Sequence, residues 1–173
     1  MSFAKVEDAL KNAIKQIKEK LESQDFIGLD KVKEDITVST SGFYWIYTKL
    51  PLKKFAEASA PSNDAHVDFA LLANIHSELK HVICQTDGEY WCIYNGKGKQ
   101  LKSRIVAQFS NTEATTGKLA LQRCFKEADF KVKYISCESV DGQHGVCEKY
   151  DTLKRDLERV WRLDNGWPFL CRK

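Results

Sequence analysis

The stretch Tyr94-Asn95-Gly96-Lys97-Gly98-Lys99-Gln100-Leu101-Lys102-Ser103-Arg104 decides how the rest of the chain is read. It has the form of a strand end, a glycine-bearing turn and the first turns of a helix. The run leading into it, Glu89-Tyr90-Trp91-Cys92-Ile93-Tyr94, is aromatic and apolar, as a buried strand requires. Gly96 and Gly98 release the chain from extended geometry at little steric cost. Leu101, Ile105 and Phe109 recur every fourth residue, which predicts a short amphipathic helix over Gln100 to Phe109. Lys97, Lys99, Lys102 and Arg104 gather cations at a turn and helix start, where backbone N–H groups already favour an anion.

Upstream, residues 2 to about 24 carry the apolar stripe Phe3, Val6, Leu10, Ile14, Ile17 and Leu21 of one charged helix. Such a helix either packs on the domain or, since its stripe is close to a heptad, joins two copies. Ile36 to Thr40 and Gly42 to Thr48 read as strands. Pro51 opens a segment of about residues 50–80 in which Val67, Leu71, Leu72, Ile75 and Leu79 predict a helix over Asp64 to Lys80. This insertion is either a packing element or one that reads a target or forms a dimer. His81 to Gln85 and Glu89 to Tyr94 are predicted to pair as a hairpin through Thr86-Asp87-Gly88. Downstream, Ser110 to Gly117 reads as a polar loop, Leu119 to Phe125 as a short helix, and Phe130 to Ile135 as a half-buried strand. Ser139 to Gly145 is a loop containing His144, read as a surface residue ahead of the alternative of a catalytic one. A last helix over Cys147 to Leu163 carries Tyr150, Leu153, Leu157, Val160 and Trp161. It is stopped by Asn165-Gly166 and Pro168, with a closing strand at Phe169-Leu170-Cys171.

The 173 residues suffice for one core of ordinary size, and a single domain spanning 1–173 is the expectation. The net charge of +3 permits nucleic-acid binding without requiring it. No run has the length of a membrane span, and the N-terminus lacks the apolar core of a secretion signal. Six cysteines without a CxxC pair, several inside apolar runs, read as buried thiols of a cytoplasmic protein. The scattered cysteines and histidines argue against a zinc site.

Taken together, Gly42-Phe43-Tyr44, Tyr94-Asn95-Gly96 and Arg104, ten residues after Tyr94, resemble the GIY-YIG nuclease superfamily. Asn95 stands where the family has an apolar middle residue. The resemblance implies an α+β fold with a small, mostly antiparallel central sheet flanked by helices. It also implies that Tyr44, Tyr94, Arg104 and a glutamate of a late helix converge on one face. Glu158 is the choice for that metal-binding glutamate, because Pro168 and the terminal segment follow at nearly the family distance; Glu148 is the reserve. Family members usually end this segment with an asparagine, where Cys171 stands here, and carry histidine or tyrosine where Gln108 stands.

The chemistry follows from the residue types. Phosphodiester hydrolysis must bring water to phosphorus, stabilise charge on the phosphoryl oxygens and neutralise the departing oxygen. Arg104 offers a planar fork of donors to phosphate. Tyr44 would orient or deprotonate the water, and Tyr94 would contact the nucleophile or phosphate. Glu158 would hold Mg²⁺, or Mn²⁺, with most of the ion's shell left as water and phosphate oxygen. Lys97, Lys99, Lys102 and Gln108 are the expected DNA contacts; Gln108 can only hydrogen-bond. The expected activity is that of a metal-dependent DNA endonuclease, of restriction type on duplex DNA, working as a homodimer. The alternative is a non-catalytic nucleic-acid-binding or assembly protein that retains the fold.

Overall fold

Three antiparallel strands carry the molecule, in the order β3-β1-β4. The computed structural model describes residues 3–37, 40–62, 66–83, 89–110, 118–136 and 157–171. Along the chain these form α1 (Phe3–Ser23), α2 (Leu29–Asp35), β1 (Gly42–Thr48), α3 (Leu52–Ala56), α4 (Phe69–His76) and β2 (Val82–Ile83). Then come β3 (Trp91–Gly98), α5 (Leu101–Phe109), short 3-10 turns at Leu121–Arg123 and Glu127–Asp129, and β4 (Phe130–Ser136). Residues 157–165 form α6, and Trp167–Pro168 forms β5. The fold is α+β, with a small antiparallel sheet between helices. No helix among the described residues is long and apolar enough to cross a membrane.

As the central strand, β1 is buried on both faces, and its alternating side chains feed two cores. Phe43 and Trp45 meet Ile14, Ile17 and Leu21 of α1 and Leu157 and Trp161 of α6. The second half of the α1 stripe is therefore used for packing within the chain. On the opposite face, Tyr44 and Ile46 meet Val32 of α2 and Leu101, Ile105 and Phe109 of α5. Phe55 of α3, Phe69 of α4, Phe125 and Phe169 extend that core as an aromatic cluster, with Phe55 4.7 Å from Phe125 and 4.9 Å from Phe169 between ring centroids.

Several expectations are corrected. The strand at Tyr94 does not end before the glycines: β3 runs on through Gly98, because Asn95, Gly96 and Lys97 continue the ladder with β1. Ile36 closes α2 instead of starting a strand. The helix read over Asp64 to Lys80 is shorter; Asp68 caps α4 by accepting from the Leu71 N–H, and Leu71, Ile75 and Leu79 of the expected stripe are exposed. Phe69 fixes that rotation, since it inserts into the aromatic cluster beside Phe125 at 5.4 Å. Leu119 to Phe125 holds only one 3-10 turn. β2 does not pair with β3 among the described residues; it pairs in parallel with β5, making a second, two-stranded sheet. The closing strand lies at Trp167–Pro168 rather than Phe169 to Cys171, tied by the Trp167 N–H to the His81 carbonyl at 2.8 Å. The helix stop falls as expected: Gly166 adopts φ +99° and its N–H closes on the Arg162 carbonyl at 2.9 Å. Val38, Ser39, the Thr86-Asp87-Gly88 turn, most of the Ser110 to Gly117 loop, His144, Glu148 and the first turns of the last helix lie outside the described residues.

Candidate active site

Register brings the two signature tyrosines together. Tyr44 pairs with Gly96, and Ile46 with Tyr94, so the tyrosines are diagonal neighbours. Their rings lie 5.9 Å apart. The missing side chain of Gly96 makes room: a Cβ there would stand 2.7 Å from the Tyr44 hydroxyl and 2.8 Å from its Cζ. A register shift between Ile46 and Tyr47 inserts Ile93 as an unpaired residue of β3. That bulge turns Tyr94 onto the Tyr44 face, which simple alternation from Trp91 would deny it.

Tyr44 is fully buried. Its hydroxyl accepts from Gln108 Nε2 at 2.9 Å, while Gln108 Oε1 accepts from the Leu119 N–H at 3.0 Å. Gln108 is itself fully buried, so the DNA contact expected of it is replaced by an internal one: both ends of its amide hold Tyr44 and the Leu119 segment. Burial pushes the Tyr44 phenol well above its ordinary range; Tyr94 adds to the rise, and the Arg104 guanidinium and the Gln108 bond oppose it. Tyr94 is only partly buried. Burial raises its phenol too, with Cys171 and Glu158 adding and Arg104 and Tyr44 opposing. Tyr94 is thus the group on which the charges of Arg104 and Glu158 both act.

Arg104 is half-buried on α5, and its Cβ lies close to Gly98, where an added methyl would meet it at 2.9 Å. Lys102 is half-buried beside it and Lys99 is exposed. Glu158 reaches the site differently from the expectation of a single face. Its helix packs with Trp161 against Trp45, on the sheet face opposite Tyr44. β3 is an edge strand, and the Glu158 charge raises the Tyr94 phenol further. Its Oε1 lies 2.6 Å from Arg162 Nη2 and its Oε2 lies 3.5 Å from Lys97 Nζ.

No family model, no curated protein and no solved structure matches this chain. The site therefore has to be read from its own geometry.

Among the described residues, no group of three or more His, Cys, Asp or Glu side chains is placed to hold a metal ion by protein ligands alone. The residue that would hold a cation is Glu158: both its oxygens are paired with cations, Oε2 less tightly, and Mg²⁺ is commonly held by one or two carboxylates plus phosphate oxygens. Sequence reasoning missed Arg162 and the buried role of Asn95. Arg162 Nε donates to Asn95 Oδ1 at 2.8 Å, and Asn95 is 2% exposed. A polar residue in the middle of an apolar strand signature was the available signal, since a buried amide requires partners. Cys171 also serves Asn95: its thiol donates to Asn95 Oδ1 at 3.3 Å.

Proposed function

We propose that this protein is a metal-dependent endonuclease of GIY-YIG type that hydrolyses phosphodiester bonds in DNA. The observation that carries the reading is Tyr94. Its ring centroid lies 5.9 Å from that of Tyr44, it is partly open to solvent, and on the same strand Lys97 Nζ lies 3.5 Å from Glu158 Oε2.

In this reading Arg104 grips the scissile phosphate with its donor fork and stabilises charge on the phosphoryl oxygens. Tyr94 meets the attacking water. With burial keeping its phenol protonated near neutral pH, Tyr94 orients water by accepting a hydrogen bond through its oxygen. Tyr44, with no exposed surface, positions Tyr94 from behind, and Gln108 holds Tyr44. Lys97, Lys99 and Lys102 contribute positive charge along the DNA backbone. Glu158 Oε2 would hold Mg²⁺ or Mn²⁺, whose charge would stabilise the departing oxygen when bound. For restriction-type action on duplex DNA, a homodimer would supply one such site for each strand.

The test is cleavage of supercoiled and linear DNA with Mg²⁺ or Mn²⁺ by the wild type and Glu158→Ala. Discrete fragments from the wild type and none from the variant support the reading. Equal cutting by both moves the metal role away from Glu158, with Glu148 next in line.

A second reading, a nucleic-acid-binding protein without catalysis, draws on one observation. The buried Arg162 already neutralises Glu158, which leaves Lys97, with Lys99 and Lys102, as surplus positive charge suited to phosphate. Salt-sensitive DNA binding with no cleavage under any divalent cation would favour it.

A further inference from the structure

Arg162 lies one helical turn after Glu158, and its side chain is 4% exposed. A guanidinium buried to that degree is held only by well-made partners. Nη2 donates to Glu158 Oε1 at 2.6 Å, and Nε donates to Asn95 Oδ1 at 2.8 Å. Nη2 also reaches the Asn95 carbonyl at 3.5 Å, and the group lies 4.6 Å from the centre of the Trp167 ring. Asn95 is fixed in turn by Cys171, whose Sγ accepts from the Asn95 N–H at 3.5 Å. One fork thus spans from the late helix to the middle residue of the second signature.

The two oxygens of Glu158 are held unequally. Oε1 makes a short, charge-assisted bond to a rigid, buried guanidinium. Oε2 faces the ammonium of Lys97 at 3.5 Å, on a flexible stem whose side chain is 27% exposed. The first contact fixes the carboxylate; the second is longer and made by the more exposed cation.

We infer that Arg162 is a positioning residue for Glu158: it locks Oε1 against Asn95, so that Oε2 is presented to a divalent cation as Lys97 gives way. The inference rests on the reading of Glu158 as a cation ligand. It also accounts for the departure at Asn95, because an apolar residue there would leave Arg162 Nε without its acceptor.

The experiment measures binding of a labelled duplex oligonucleotide by fluorescence anisotropy, with and without Ca²⁺, an oxygen-seeking cation. Thermal melts accompany each variant. Arg162→Lys keeps the charge, so a change reports geometry rather than electrostatics. Asn95→Ala leaves Arg162 in place and removes the Oδ1 that accepts from its Nε and from the Cys171 thiol. The wild type should bind more tightly in Ca²⁺, and Glu158→Gln should abolish that gain. Arg162→Lys and Asn95→Ala should each reduce the gain about tenfold while Ca²⁺-free binding holds, as partners one step removed from a metal do. If Arg162→Lys fails to fold, Asn95→Ala decides. A full Ca²⁺ gain in both variants overturns the inference, as does an equal loss of binding with and without Ca²⁺. No gain in the wild type removes the cation role of Glu158 and this inference together, whereas the cleavage assay judges the nuclease reading separately.

Discussion

Gly96 lies opposite Tyr44, and an added Cβ would enter the space its hydroxyl and Cζ now fill, at 2.7 and 2.8 Å. Tyr44 is packed too tightly to yield, so Gly96→Ala should destabilise the fold by about 1–3 kcal/mol, as overpacked cores do; urea unfolding would read it. The two tyrosines differ by access rather than chemistry. Tyr44 has no exposed surface, whereas Tyr94 is partly open and lies under the influence of both Arg104 and Glu158. Tyr94→Phe removes the oxygen that orients the water and should therefore lower DNA cleavage about 100-fold, as a misplaced reactant does. Tyr44→Phe should lower it less, because it acts through its neighbour. Single-turnover rates for the two variants side by side would decide, and a Tyr44→Phe as inactive as Tyr94→Phe would reverse the assignment.

At the scale of elements, two local features place the site residues. The bulge at Ile93 brings Tyr94 to the Tyr44 face, while Asn95 and Lys97 turn toward α6. The positive-φ Gly166 ends α6 and sends Trp167 back against Arg162. α4 shows how packing overrides pattern. The i, i+4 stripe of Leu71, Ile75 and Leu79 is outward, and the helix is held by Phe69, Ala73 and its cap. Asp68→Ala removes the acceptor of the Leu71 N–H and should cost about 1 kcal/mol. A urea midpoint unchanged from the wild type would show that the cap adds nothing to the folded chain.

For the molecule as a whole, the buried acids set the pH dependence of stability. Burial pushes the Cys171 thiol up to about 12, with Arg162 and the Asn95 contact opposing, and pushes Cys92 well up as well. Tyr47, Tyr44 and Tyr94 are also raised, in each case chiefly by burial. The folded chain therefore retains protons that the unfolded chain releases from about pH 9 upward, the ordinary thiol range. This stabilisation is complete below that pH and is lost as pH climbs toward 12. Urea midpoints should be level across the neutral range and fall progressively above pH 9, and Cys171→Ala should flatten the first part of that fall. A rise in stability between pH 9 and 11 would contradict the burial of these groups.

The sequence by itself determined the elements whose signals are local. α1, β1, α5 and β4 lie where periodicity placed them, and the stop at Asn165-Gly166 needs only the left-handed freedom of one glycine. The α+β class was implied by the resemblance of Gly42-Phe43-Tyr44 and Tyr94-Asn95-Gly96, and the three-stranded antiparallel sheet between helices agrees with it. Only the tertiary structure decided the rest. The extension of β3 through Gly98 depends on partner groups in β1 that no local window contains. The pairing of β2 with β5 joins residues some eighty-five positions apart, as in Val82 with Trp167. The bulge at Ile93, the burial of Gln108 behind Tyr44 and the fork from Arg162 to Asn95 arise from contacts between distant segments. Periodicity specifies which face of an element is apolar; which polar groups meet across the sheet edge is fixed only when the helices pack and each buried donor must find its acceptor.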